Sequence, residues 1–239
     1  MLIISAGLPK SGSGWFFNLI NDLLIEYGFN DVRELKKTFQ LENVLHHYNC
    51  NIEELSKENI NKILPLVHKD FTFTVKTHCA PGKYLKELQN IYPIKTLFIF
   101  RDPRDIALSV HDHGVKQRNS GLGGSFTNIL SFEDSIRFSK NMYPIWQEWI
   151  EFPGSYHVKY EDLVESPVDV LSEMIVYLGL TPDQNKIKKV IEAIIPEKTT
   201  GLHFNVGEAY RYKRVWSAVQ MKYANKALHE MIENMGYKK

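Results

Sequence analysis

The opening stretch MLIISAGLPKSGSGW (1–15) runs from an apolar, β-branched segment straight into a glycine-bearing loop. A strand that enters such a loop and leaves it as a helix makes an anion site. The first N–H groups of the helix point outward, and its dipole favours negative charge there. Gly7 and Gly12 have the separation of a Walker loop, GxxxxGK(S/T), but Ser13 and Gly14 fill the lysine and hydroxyl positions, and Lys10 sits inside the loop. The Mg²⁺-holding hydroxyl of a Walker loop follows its lysine, and here it does not. A lysine within the loop acts instead as a point charge on a terminal group and its bridging oxygen. Lys10, Ser11 and Ser13 add donors that an ordinary βα turn does not need. Trp15, on the first helical turn, is either core packing or a flat surface for a base.

Three further runs, FTFTVK (71–76), KTLFIF (95–100) and SYHVKY (155–160), are nearly continuous in apolar or β-branched residues, as strands buried on both faces are. Helical periodicity fills the intervals 13–27, 33–48, 53–65, 82–91, 103–118, 132–151, 167–179, 183–195 and 217–235. In the last, Val219, Tyr223, Ala227, Met231 and Met235 suggest a core stripe. The alternation predicts an α/β fold, a central, mostly parallel sheet flanked by helices in the manner of P-loop nucleotide kinases. With 239 residues and 44% hydrophobic content, a single domain over 1–239 is expected. The Gly-rich stretch 116–128 and the irregular stretch 199–216 read as functional loops, with 120–125 a lid that orders on binding.

The formal charge of +1, with acids and bases interspersed, points away from nucleic-acid and polybasic membrane partners, so any anion site is local. No signal peptide or membrane-length apolar run is present, and a cytoplasmic location is the expectation. Cys50 and Cys79 give neither a disulfide framework nor metal-site spacing.

FRDPRDIALS (100–109) ends a strand in Arg101 and starts a helix with Asp102 as N-cap, Pro103 at the first position and Asp105 closing the cap. Capping accounts for the acids and the proline, but not for Arg101 at the carboxyl end of a buried strand, where α/β sheets bind ligands. Ser109 lies about two turns down the same helix face as Asp102, so Arg101 and Ser109 are placed where both could donate to a second anionic group. Two such sites suit a ligand phosphorylated at two places. In FTVKTHCAPG (73–82), Lys76 and His78 are two residues apart in extended chain and face the same way. That pairing suits proton removal by His78 with Lys76 stabilising negative charge. Cys79 faces the other way and reads as a small buried hydrophobe.

With these segments in view, the sequence resembles the PAPS-dependent sulfotransferase family, which moves a sulfuryl group from 3′-phosphoadenosine-5′-phosphosulfate (PAPS) to an acceptor hydroxyl or amine. PKSGSGW resembles the family's PKSGTTW phosphosulfate loop, VKTH its KTH catalytic segment, RDPRDIALS its RNPKDVAVS segment, and KYEDLVESP (159–167) its YEDL segment. The resemblance implies that Lys10, Ser11, Gly12 and Ser13, with Gly14 as a weaker contact, hold the 5′-phosphosulfate. It implies that Arg101 and Ser109 hold the 3′-phosphate, that Trp15 and Tyr160 contact adenine, and that His78 is the general base with Lys76 and Lys10 on the sulfuryl and bridging oxygens. Apart from Tyr160, YEDLVESP also reads as a helix start capped by Ser166 and closed by Asp169.

The chain departs from the family at Gly14, where a threonine hydroxyl is usual. It departs again at AYRYKRVW (209–216), where Arg211, Lys213 and Arg214 replace an RKG element, and at TTGLHF (199–204), where Thr200 stands in for an adenine contact. The implied reaction is in-line transfer to a small-molecule alcohol or amine with no metal required. The competing readings are a P-loop kinase and a non-catalytic nucleotide-binding module. His46, His47, Tyr48, Phe126 and Phe132 are candidate acceptor-pocket residues, each equally suited to core or surface. HDH (111–113) is a poor metal motif, because its two histidines do not share a helix face. The family's KxxxTVxxxE dimer segment is not found, leaving monomer or homodimer open.

Overall fold

The computed structural model describes residues 1–121, 123–197 and 207–238. β1 (Leu2–Gly7) leads into α1 (Ser13–Glu26) and α2 (Val32–Thr38), followed by β2 (Asn51–Ile52), α3 (Lys57–His68) and β3 (Phe73–Thr77). Next come α4 (Gly82–Gln89), β4 (Ile94–Phe100), α5 (Pro103–Asn119), α6 (Phe132–Asn141), α7 (Tyr143–Ile150) and β5 (Ser155–Lys159). The remaining helices are α8 (Tyr160–Glu165), α9 (Pro167–Tyr177), α10 (Gln184–Glu197), α11 (Tyr212–Val215), α12 (Ala218–Ala227) and α13 (His229–Asn234).

The strands form one sheet in the order β2-β3-β1-β4-β5, and every pair is parallel. Every residue of β1 and β3 is buried, as the unbroken apolar runs require. Alternate side chains serve opposite faces: Leu2, Ile4 and Ala6 join one core with Phe98 and Phe100, while Ile3 joins a second with Leu97, Ile99 and the α1 residues Phe16, Leu19 and Leu23. Because all strands run the same way, Gly7, Thr77, Phe100 and Lys159 end at one edge of the sheet. β1 is flanked by β3 on one side and β4 on the other, so successive connections diverge there and open the crevice in which α/β sheets bind ligands.

The local signals explain most helix starts. Ser56 caps α3 by accepting from the Asn59 N–H, Asp102 caps α5 by accepting from Arg104, and Ser131 with Asp134 and Ser217 with Gln220 form capping boxes. The helix expected over 33–48 stops at Thr38, and Gln40 turns left-handed with φ 53°. The one expected over 132–151 is two helices, because Pro144 has no N–H to continue the first ladder. Ser166 stands at the start of α9 without making the expected side-chain cap.

The stripe expected over 217–235 is corrected. Val219 is 79% exposed and Tyr223 47%, while Ala224, Leu228, Met231, Ile232 and Met235 are buried. A spacing of four advances about 40° per step on a 3.6-residue helix, so it drifts off any one face. The chain also leaves helical geometry at Leu228.

Two glycines of the first loop behave oppositely. Gly12 has φ 86°, and a Cβ there would lie 2.5 Å from the Tyr160 ring. Gly14 is helical, and a Cβ would meet nothing within 4 Å. We expect Gly14→Ala to raise stability by about 0.5–1 kcal/mol and Gly12→Ala to lower it by more than about 1 kcal/mol. Urea unfolding of both variants checks this; equal effects would mean that the Tyr160 contact does not constrain the loop.

Candidate active site

The turn after β1 is shaped by close approaches. A Cβ on Gly7 would lie 2.6 Å from Ile99 Cγ2 and 2.8 Å from Ser13 Cβ, so only glycine lets α1 start against β4. Lys10 (φ 67°) and Gly12 (φ 86°) both take left-handed geometry and curl the loop back on itself. Both donors of Ser11 are used inside the loop, since its N–H and its hydroxyl reach the Leu8 carbonyl at 3.1 and 2.6 Å. Ser11, expected at the phosphosulfate, therefore also shapes the loop. No side chain caps α1 and no acid lies in its first turn, so the positive end of the helix faces the crevice.

β3 delivers the Lys76–His78 segment beside this loop. Ser5 and Ala6 of β1 pair with Lys76 and Thr77, which places His78 next to Gly7. His78 Nδ1 lies 2.6 Å from the Gly7 carbonyl, and Lys76 Nζ lies 2.6 Å from His78 Nε2. A carbonyl can only accept, so Nδ1 carries the proton and Nε2 presents its lone pair to Lys76. Burial, reinforced by Lys76, pushes the imidazole down to about 4. Burial likewise pushes Lys76, only 2% exposed, down to about 7. Lys76 also donates to Asn51 Oδ1 at 3.2 Å. Sequence reading missed Asn51, because a strand of two residues shows no periodicity. Cys79 turns away as expected, toward the Glu53 carbonyl, but it is half-buried rather than a core residue.

Lys10 Nζ lies 3.4 Å from His113 Nδ1 and 5.7 Å from the centre of the Phe126 ring. Burial and the charges of Lys116 and Arg101 push it down to about 8, against the pull of Asp112. The HDH segment thus belongs to the surroundings of Lys10, and among the described residues no group of three or more His, Cys, Asp or Glu is gathered as a metal site. Of the candidate acceptor residues, Phe126 stands beside Lys10. Phe132 packs on Trp216 and Tyr223, and Tyr48 is 71% exposed under the Arg33 guanidinium. Gln117 accepts from the Phe126 N–H and Arg118 donates to the Thr127 and Ile129 carbonyls, which ties this side of the site to α5. The expected lid over 120–125 contains Leu122, outside the described residues.

At the end of β4, Arg101 is buried with its guanidinium 4.3 Å over the Tyr160 ring. It donates to the Glu208 carbonyl at 2.6 Å and to Asp105 at 3.2 Å, while its Nε is buried with no acceptor among the described residues. Asp105 does not close the helix cap as expected. It faces Arg101 and accepts from the Tyr212 N–H at 3.1 Å, drawn to a cation and a donor from the C-terminal segment. Ser109 is buried on α5. Among the three C-terminal basic candidates, Arg211 pairs with Asp112 and is the most buried, Lys213 lies over the Tyr210 ring, and Arg214 pairs with Glu208 in solvent. Thr200 lies outside the described residues. Tyr160 is 3% exposed, and Trp15 meets it edge-on at 6.0 Å.

An open helix start with a loop lysine at one end and an arginine with an unpartnered buried nitrogen at the other fit a ligand that is anionic at two places. The sulfotransferase domain model matches residues 2–226. The chain belongs to the sulfotransferase domain family. Its enzymatic activity is sulfuryl transfer. A search of curated proteins finds no match. Among solved structures, retinol dehydratase in complex with retinol and PAP is similar at 16% identity and a TM-score of 0.66, over 100% of this chain and 83% of that one. Mouse sulfotransferase SULT7A1 complexed with PAP is similar at 14% identity and a TM-score of 0.66, over 98% and 85%. Retinol dehydratase with androsterone and PAP is similar at 16% identity and a TM-score of 0.65, over 100% and 82%. These likenesses show a shared fold. Among the described residues no helix is long and apolar enough to cross a membrane.

The depressed lysine has a consequence for stability. Lys76 titrates near 7 in the folded chain and near the ordinary lysine value when unfolded, so between these limits the unfolded chain binds more protons and stability rises with pH. We expect the urea midpoint to increase from pH 6.5 to pH 9, and Lys76→Met to flatten that rise; an unchanged slope in the variant would assign it to other groups.

Proposed function

We propose that this chain transfers the sulfuryl group of PAPS to the hydroxyl or amine of a small-molecule acceptor, with His78 as general base. The observation that carries the reading is the fixed tautomer of His78. Its Nδ1 proton is held by the Gly7 carbonyl, its Nε2 carries the lone pair that Lys76 now occupies, and its low pKa keeps the ring neutral in the physiological range. His78 is partly exposed, so an acceptor can reach it.

When bound, PAPS supplies the transferable sulfuryl group and a phosphate leaving group. Lys76 would leave Nε2 for the more negative sulfuryl oxygens, which frees the base as the donor site fills. Lys10 would compensate charge on the bridging oxygen, with the α1 N-terminus and the backbone of Gly12, Ser13 and Gly14 around the 5′-phosphate. Arg101, Ser109 and Arg211 would hold the 3′-phosphate, the unpartnered Arg101 Nε being the donor that lacks an acceptor in the free chain. These cations carry the charge compensation assigned elsewhere to a metal. Trp15, edge-on to Tyr160, is the more accessible ring for adenine. Phe126 and His113, which meet edge to face at 5.4 Å beside Lys10, would border the acceptor. The retinol and androsterone held by retinol dehydratase support an acceptor of small-molecule size.

Two measurements test this. Anionic groups near Lys10 and Lys76 favour their charged forms, so adenosine 3′,5′-bisphosphate (PAP) binding at pH 8.5 is expected to take up protons and at pH 5.5 to take up almost none. Calorimetry in buffers of different ionisation enthalpy reads this directly. His78→Ala is expected to lower kcat about 10²–10⁴-fold with PAP affinity kept. Transfer at the wild-type rate would remove the base assignment, and stabilisation by Mg-ATP but not by PAP would favour a kinase.

A further inference from the structure

Behind Arg101 lies a buried polar relay that the donor-binding residues do not include. Glu161 is 3% exposed, and its two oxygens are divided: Oε1 accepts the Asp102 N–H at 3.1 Å and Oε2 accepts the Tyr237 hydroxyl at 2.7 Å. Asp102, fully buried, caps α5 through the Arg104 N–H and takes a two-pronged pair from the Arg104 side chain at 2.9 and 2.7 Å. Arg104 in turn donates to the Lys238 carbonyl at 2.7 Å and to Asn225 at 3.0 Å. Lys159 holds the same tail from the other side, donating to the Gly236 carbonyl at 3.3 Å and lying 5.0 Å from the Tyr237 ring centre.

The two residue pairs at the ends of neighbouring parallel strands therefore interlock. Tyr160 supports the Arg101 guanidinium, and the next residue, Glu161, fixes the N–H of Asp102, the residue after Arg101. Among the described residues Glu161 has no cation as hydrogen-bond partner, and burial raises its pKa, so a donor from outside the sheet is what keeps its second oxygen satisfied. That donor is Tyr237. Truncating it leaves a buried carboxylate oxygen unpaired next to the peptide that sets the direction of Arg101.

We propose that Tyr237 is a positioning residue for the donor site, which through Glu161 and the Asp102 peptide holds the Arg101 guanidinium where a 3′-phosphate is bound. This rests on the reading of Arg101 as the 3′-phosphate ligand. A structural role alone would weaken every nucleotide alike, whereas positioning acts on the 3′-phosphate only.

The test compares, on the full chain, the Kd for PAP with that for adenosine 5′-phosphate, which lacks the 3′-phosphate. Tyr237→Phe is expected to weaken PAP roughly tenfold and adenosine 5′-phosphate less than about twofold. Arg101→Ala is expected to erase most of the preference for PAP, and adding Tyr237→Phe to it to have no further effect, as for two residues acting at one contact. Glu161→Gln keeps an acceptor for the Asp102 N–H and should preserve the preference within about threefold. Equal weakening of both nucleotides, unchanged PAP affinity, additivity in the double variant, or loss of the preference in Glu161→Gln would each overturn the proposal. Arg101→Ala with its preference intact would instead remove the donor-site reading beneath it.

Discussion

The hydrogen bond between His78 Nδ1 and the Gly7 carbonyl joins the two segments on which this site depends. Gly7 ends the central strand and begins the glycine loop, and His78 follows the neighbouring strand. One contact therefore fixes the distance between the loop and His78, selects the tautomer, and turns Nε2 toward Lys76. It is available only because the strands are parallel and in a register that sets Ala6 against Thr77. A shift by one residue would send the imidazole to the other face of the sheet.

The same geometry explains the charge pattern. Lys10, Lys76 and Arg101 are brought to one edge and partly or wholly buried there, and the counter-charges within reach are few and divided. Asp105 goes to Arg101, Asp112 goes to Arg211 and acts on Lys10, and among the described residues Lys76 hydrogen-bonds only to neutral partners, Asn51 and His78. Burying amines without matching carboxylates lowers their pKa values, and a polyanionic ligand reverses that. With Lys10 and Lys76 both lowered, the site carries less charge near neutral pH than its residue list suggests.

Much of this was legible in the sequence because it is written over a few neighbouring residues. The four long strand runs, the glycine spacing of the loop, the Asp102-Pro103 helix start and the alternation that sets Lys76 beside His78 are all local patterns. What the sequence hid depends on partners far along the chain. Asp105 satisfies the spacing of a helix cap, yet it serves Arg101 and the Tyr212 N–H. Asn51 stands on a strand too short to have a period, and Glu208 reaches Arg101 with a backbone carbonyl that no side-chain motif encodes. The Val219 and Tyr223 stripe failed because equal spacing is not equal direction on a helix.

The Tyr160 ring touches three things that belong to different parts of the site: the backbone of Gly12, the edge of Trp15 and the flat face of the Arg101 guanidinium. A ring held so closely on several sides cannot rotate about its axis unless its neighbours withdraw together. Its rotation then requires the Gly12 turn, Trp15 and the Arg101 guanidinium to give way with it. The rate at which the Tyr160 ring turns over would therefore report how often these three neighbours loosen together.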